Sequence, residues 1–167
     1  MRFTTLLSLT LLLVTLPFGI SNAESARPKK VRKYELLVND ALKYVGTKYV
    51  FGGSKPGGFD CSGFVSYVFQ KHGISLPRVS TDQASAGKRV GLGNAKKGDL
   101  IFFKGSNLRD RKIGHVGIVV SNKNEPVQFV HASTSRGVVV SNLETEYYKK
   151  RFRKVRCFKE LNKKVKI

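Results

Sequence analysis

The sequence predicts an α+β fold in which N-terminal helices pack on an antiparallel sheet. Before Gly98, apolar side chains recur at the spacing of one helix face. After Gly98 they fall in short apolar runs separated by polar turns, which is typical of strands. Helices first and strands afterwards favour a layer of helices on an antiparallel sheet over alternating strand–helix units.

The first 23 residues have the pattern of an export signal. Arg2 provides the positive start, residues 9–20 form an apolar run, and Ser21-Asn22-Ala23 is a small-residue cleavage pattern. The run is short for a membrane span, so we expect cleavage after Ala23 and an exported protein, periplasmic or secreted. No later stretch is apolar enough to span a bilayer. The rest of the chain divides into a basic leader (24–33), one domain (34–158) and a basic tail (159–167).

Three helices are expected in the first half of the domain. The first ends near Gly46, and its apolar face contains Tyr34, Leu37, Val38, Ala41 and Val45. The second begins at Cys61 and ends near Gly73. A short third helix is expected over residues 80–86.

Five strands are expected in the second half. They cover residues 100–103, 115–120, 127–132, 138–140 and 154–158. The turn residues Asn122, Asn124 and Pro126 lie between the second and third strands, so these two strands are predicted to form a hairpin.

Cys61 lies where the second helix is predicted to begin. A thiol in the first helical turn faces unpaired N–H groups and the positive end of the helix dipole. Both favour the thiolate, which is the nucleophilic form of cysteine. A lone cysteine is commonly a small buried hydrophobe, so position alone leaves both interpretations open. A nucleophile also needs a base within reach.

The chain has three histidines from which such a base could come. His72 ends the Cys61 helix, about 15 Å along it from the thiol, and suits a surface role at the negative helix end. His115 opens one strand of the predicted hairpin, and His131 lies near the end of the other. In an antiparallel pair these positions are adjacent, so His115 and His131 are expected to be neighbours. A base and its orienting group need this arrangement, although two unrelated strand-end histidines would share it.

Other assignments of the reactive side chains have less support. Asp99 could orient a histidine, but a Gly-Asp pair is more typical of a turn with a capping carboxylate. Cys157 lies in an alternating strand and is expected in the core, which leaves Cys61 a free thiol rather than half of a disulfide. One cysteine and two scattered histidines do not make a structural zinc site, so we expect no metal and no cofactor.

The formal net charge of +20 indicates anionic surroundings. Residues 149–167 carry ten Lys or Arg against one Glu. An exported protein meets cell-envelope polymers before nucleic acid, and aromatic residues do not interleave with the charge as a base-stacking surface requires. We therefore expect no nucleic-acid role and take anionic cell-envelope polymers as candidate partners, although a simply solvated basic surface also fits the composition.

The segments with chemical signals follow one another along most of the domain. They are Tyr49, Gly52-Gly53, and residues 59–65, 98–103, 115–118 and 130–132. In this order and spacing they resemble the NlpC-type cell-wall cysteine peptidases, over residues 34–158. The resemblance implies a papain-like fold whose nucleophile helix packs on a five- to six-stranded antiparallel sheet.

The same resemblance implies roles for individual residues. Cys61 would be the nucleophile, His115 its base, and His131 the third residue, which orients the base. Tyr49 matches the family tyrosine near the oxyanion.

The resemblance further implies hydrolysis of amide bonds in peptidoglycan stem peptides through an acyl-enzyme. The bond would be D-glutamyl to diamino acid or the D,D cross-link. Asp60 and Ser62 match positions that line the substrate cleft. A basic rim would suit the carboxylates of these peptides, and we expect it from Lys104, Arg109, Arg111 and Lys112. The alternatives are an amidase or acyltransferase on the same scaffold, or a non-catalytic cell-wall-binding protein.

Overall fold

A computed structural model of the chain describes residues 29–107 and 109–158. These residues contain the helices α1 (Lys29–Leu42), α2 (Cys61–Lys71), α3 (Ser80–Ser85) and α4 (Glu146–Arg151). A small hairpin of β1 (Ser54–Lys55) and β2 (Gly58–Phe59) precedes α2. The main sheet contains β3 (Lys88–Val90), β4 (Leu100–Lys104), β5 (Ile113–Val119), β6 (Gln128–Ser133), β7 (Gly137–Asn142) and β8 (Phe152–Cys157).

The main sheet has six strands in the order β3-β8-β4-β5-β6-β7, and every neighbouring pair is antiparallel. Strands β4 to β7 follow one another as a meander, and β8 returns to lie between β3 and β4. The predicted α+β class and antiparallel sheet are confirmed. The predicted hairpin is also confirmed, since Ile118 of β5 pairs with Val130 of β6.

The sheet is buried on both faces. Leu100 and Phe102 of β4 belong to a core shared with α1 and α2, whereas Ile101 and Phe103 belong to a second core that includes Tyr148 of α4. Successive side chains of a strand point to opposite faces, so a strand buried on both sides is apolar throughout. This double burial explains why β4 has a continuous apolar sequence.

The element boundaries differ from the predictions in several places. α1 begins at Lys29, inside the segment expected to be a leader, and ends at Leu42, before Gly46. The β1–β2 hairpin, β3 and α4 have no counterpart among the elements predicted from the sequence. Each is six residues or shorter, and such elements depend on tertiary packing rather than on local propensity. The predicted signal (1–23) and the predicted basic tail (159–167) lie outside the described residues.

Within the described part of the chain, no helix combines the length and hydrophobicity that crossing a membrane requires.

Candidate active site

Cys61 is the first residue of α2, as the sequence predicts. Asp60 precedes it as the N-cap, and its Oδ1 accepts a 2.6 Å hydrogen bond from the backbone N–H of Gly63. Gly63 also has a packing role, because a Cβ there would lie 2.1 Å from the backbone oxygen of Gly53. The loop before the β1–β2 hairpin therefore packs directly against the first turn of α2 and fixes the position of the Cys61 thiol.

Arg78, which lies outside α2, stabilises the start of this helix through hydrogen bonds. Its Nη2 donates to Asp60 Oδ2 at 2.6 Å, and its Nη1 donates to Asp60 Oδ1 and to the Ser62 hydroxyl, each at 3.1 Å. Asp60 and Ser62 are both buried. Their predicted role in lining the substrate cleft stays a prediction, and their polar atoms are held by Arg78, a partner that was not predicted from the sequence.

His115 and His131 lie side by side on β5 and β6. His115 Nε2 is 2.9 Å from His131 Nδ1, and the two rings meet edge to face at 88°. Gly117 helps to make room for this pairing, because a Cβ there would lie 3.1 Å from the Cβ of His131. The predicted neighbourhood of the two histidines is confirmed, whereas their catalytic roles stay a prediction.

His131 has further partners on its other ring nitrogen. Its Nε2 lies 2.9 Å from the Ser141 hydroxyl of β7 and 3.0 Å from the Tyr148 hydroxyl of α4. Neither residue is among those predicted from the sequence. No local sequence signal identifies them, because a serine in an edge strand and a tyrosine in a short helix are common. Their role depends on the contact with His131, which only the folded structure shows.

The Cys61 sulfur meets β5 at the residue that follows His115. The backbone N–H groups of Val116, Ser62 and Cys61 lie close to the sulfur. These donors lower the pKa of the thiol, but burial and the charge of Asp60 raise it more, so that the pKa lies above its usual range. The first helical turn favours the thiolate, as expected, but burial and the charge of Asp60 outweigh this effect in the free site.

Burial also acts on the two histidines. It lowers the pKa of His115 to about 4 and, together with the charges of His115 and Arg136, that of His131 to about 2. Both imidazoles are therefore neutral near pH 7. The imidazole of His115 is therefore neutral at rest and can accept a proton, and the Cys61 thiol lies next to Val116, the following residue of the same strand.

Tyr49 lies beside the nucleophile, in the loop that bridges to Phe59. Burial raises the pKa of its hydroxyl, and the negative charge of Asp60, together with that of the Cys61 thiolate when it forms, raises it further. The phenol therefore keeps its proton and is available as a hydrogen-bond donor next to the sulfur.

A cavity of about 150 Å³ opens beside the two histidines, on the face of the sheet that α4 covers. Its lining includes Lys104, His115, His131, Tyr147, Tyr148 and Arg151. Of the predicted basic rim, Lys104 lines this cavity. Arg109, Arg111 and Lys112 are exposed in the loop between β4 and β5, and Arg151 is a basic lining residue that the sequence analysis missed.

The remaining candidate residues lie outside this arrangement. His72 follows the last residue of α2, as predicted, but its side chain is only 19% exposed and its Nε2 lies 3.6 Å from Asp40, so the predicted surface role is only partly confirmed. Asp99 accepts from the Lys96 N–H at 3.1 Å, as a turn carboxylate does. Cys157 is only partly buried, because β8 ends there, and its thiol bonds to Asp99. Among the described residues both cysteines are free, and no cluster of His, Cys, Asp or Glu could hold a metal ion.

Comparison with known proteins gives a consistent result. A model of the NlpC/P60 family matches residues 46–157. A solved structure of an NlpC/P60 family protein from Bacillus cereus superposes with a TM-score of 0.67 at 30% identity, covering 74% of this chain and 39% of that chain.

Two curated relatives match with higher sequence identity. Murein DD-endopeptidase MepS/murein LD-carboxypeptidase of Escherichia coli (strain K12) is 44% identical over 122 residues, which cover 72% of this chain and 60% of that protein. Gamma-DL-glutamyl hydrolase of Bacillus subtilis (strain 168) is 42% identical over 127 residues, which cover 75% of this chain and 29% of that protein. The chain thus spans less than two thirds of the length of either relative.

Proposed function

The chain belongs to the NlpC/P60 family, and on this basis we propose that it is a peptidoglycan hydrolase, a cysteine endopeptidase that cleaves amide bonds of stem peptides. The names of its relatives, two murein peptidase activities and a glutamyl hydrolase, support this substrate class. The observation that carries the proposal is the 2.9 Å contact between His115 Nε2 and His131 Nδ1. His115 lies on β5, and the backbone N–H of the next residue, Val116, lies close to the Cys61 sulfur.

The first half of the reaction forms an acyl-enzyme. Cys61 Sγ attacks the carbonyl carbon, and its proton passes to Nδ1 of His115, the ring nitrogen that does not face His131. The oxyanion accepts hydrogen bonds from the Cys61 backbone N–H and the Tyr49 hydroxyl, and one such donor is worth ~3 kcal/mol. His115 then gives its proton to the leaving amine as the C–N bond breaks.

The second half releases the acyl group. Water loses a proton to His115 and attacks the thioester carbon, and the Cys61 sulfur leaves and regains a proton. Because burial keeps His115 neutral at rest, it begins each half-reaction as a base. His131 holds the ring orientation of His115 through both steps.

The basic cavity beside the two histidines supports a substrate in which the peptide released first carries negative charge. The base protonates the leaving amine, so the peptide released first lies on the histidine side of the thiol, where Lys104 and Arg151 line the wall. Stem peptides carry free carboxylates, which complement these charges. The predicted export signal and the murein-related names of the relatives also support action in the cell envelope, and N-terminal sequencing of the exported protein tests this location.

Purified variants test the nucleophile and the base on peptidoglycan sacculi, with release of new amino groups as the readout. Cys61→Ala, Cys61→Ser and His115→Ala should release none while keeping the wild-type circular dichroism spectrum. His72→Ala is the matched control, since it removes a histidine outside the site and should retain turnover. Turnover at the wild-type rate in Cys61→Ser would overturn the proposal.

The cleaved bond can be identified from the products of defined muropeptides by mass spectrometry. Cleavage after the D-glutamyl residue and cleavage of a D,D cross-link give fragments of different mass. Hydrolysis of a lipid or non-peptide amide in the same assay, with muropeptides intact, would instead support the amidase or acyltransferase alternative. Binding to sacculi without any turnover would support the non-catalytic alternative.

A further inference from the structure

We infer that the hydroxyls of Tyr148 and Ser141 are positioning groups. They hold His131, which in turn orients His115, the candidate base for Cys61. Both hydroxyls contact His131 Nε2, Ser141 at 2.9 Å and Tyr148 at 3.0 Å. The inference rests on the proposed function for the role of His115 as base.

The contacts are sterically well defined. His131 is 1% exposed and Tyr148 is 8% exposed, so neither side chain can rotate freely into solvent. The Tyr148 ring packs edge-on against Phe129 at 90° and lies 5.4 Å from the His131 ring. The hydroxyls therefore meet the imidazole in a fixed geometry that the second core maintains.

The role of the two hydroxyls follows from where the protons of the two imidazoles lie. When His115 accepts the thiol proton it carries a proton on both ring nitrogens, so its Nε2–H must donate to His131 Nδ1. His131 then carries its own proton on Nε2 and needs an acceptor there. Ser141 and Tyr148 supply that acceptor, and so they favour the tautomer of His131 that stabilises the charged form of His115.

Basic side chains also lie near the two imidazoles. They are Lys104 from β4 and Arg151 from α4, which line the cavity beside the histidines, and Arg136 from the turn between β6 and β7, whereas Asp60 and the Cys61 thiol lie at the start of α2. Arg136 donates to the Ser141 hydroxyl at 3.5 Å, and its charge opposes a proton on His131. His131 therefore stays neutral, accepts a hydrogen bond at Nδ1 and donates one at Nε2.

The test uses Tyr148→Phe, Ser141→Ala and the double variant, and it measures the pH dependence of Cys61 alkylation by iodoacetamide, followed on the Cys61 peptide by mass spectrometry. This readout needs no substrate, so it can fail or succeed independently of the proposed peptidase activity. The acid limb of the profile should move to higher pH in each variant and furthest in the double variant, because the charged form of His115 loses support. Turnover of sacculi should fall about fivefold in each single variant, which is the equivalent of one hydrogen bond.

Two controls separate positioning from general damage. Tyr44→Phe removes a phenol that is bonded to Tyr67 and Lys71 in the core on the other face of the sheet, so its profile should match the wild type. Ser141→Thr keeps a hydroxyl and should also match. A wild-type alkylation profile in the double variant, or equal damage from Ser141→Thr and Ser141→Ala, would overturn the inference. If the double variant does not fold, the two single variants are judged by the same criteria.

Discussion

Replacing Asp60 by alanine should destabilise the whole domain, because its carboxylate has two structural partners. It caps α2 through the Gly63 N–H and forms an ion pair with Arg78, each at 2.6 Å. Loss of an N-cap costs about 1 kcal/mol. The ion pair adds about 1 kcal/mol, because the Arg78 side chain is 45% exposed and water screens its charge. We therefore expect Asp60→Ala to lower the free energy of unfolding by about 2 kcal/mol.

Asp60→Asn separates these two contributions. Asparagine caps a helix as well as aspartate does but carries no charge, so we expect a loss of about 1 kcal/mol. At roughly 4 °C per kcal/mol for a domain of this size, Tm should fall by about 8 °C in Asp60→Ala and about 4 °C in Asp60→Asn. Glu144→Gln is the matched control. It makes the same change in net charge but removes an exposed pair with Lys149, so its Tm should stay near the wild-type value.

Thermal unfolding followed by circular dichroism at neutral pH measures these differences. Arg78 lowers the pKa of Asp60, so the stabilisation is present above the unfolded pKa of about 4 and is lost as pH falls through the lower folded value. The charge of Asp60 raises the pKa of the Cys61 thiol, so Asp60→Asn should also speed alkylation of Cys61 near neutral pH. Equal Tm shifts in the two variants would refute the capping contribution, and unchanged Tm in both would refute the structural role.

Three further predictions concern the oxyanion, the helix contact and the buried histidine. Tyr49→Phe should lower kcat on defined muropeptides by about 100-fold with little change in Tm, since it removes one oxyanion donor; an unchanged kcat would exclude that role. Gly63→Ala should lower Tm strongly, because its Cβ would lie 2.1 Å from the Gly53 oxygen, whereas Gly93→Ala, whose Cβ meets no described atom within 4 Å, should not; equal effects would contradict the packing argument. Burial lowers the pKa of His131 to about 2 and that of His115 to about 4, so the unfolded chain binds both protons first, and each histidine should lower stability by ~1.4 kcal/mol per pH unit below about pH 6.5. Urea unfolding between pH 7 and 4.5 measures this slope, which should be smaller in His131→Gln and would count against the burial argument if it were not.

Much of the fold could be predicted from the sequence, because its long elements have strong local patterns. α2 has a capping aspartate and an apolar face, and β4 is apolar throughout, so both were found close to their observed boundaries. The hairpin placed His115 beside His131 by strand direction alone. Short elements such as α4 were missed, since six residues rich in tyrosine and lysine have no distinctive local pattern.

The sequence by itself determined the class of fold, the position of Cys61 at a helix start and the pairing of the two histidines. These features follow from periodicity and strand direction, which are local properties of the chain. Only the tertiary structure decided that Arg78 holds Asp60, that Tyr148 and Ser141 hold His131, and that the thiol pKa lies above its usual range. Hydrogen-bond partners distant in sequence, and the loss of water around a buried group, depend on how elements pack together, and no local pattern records either.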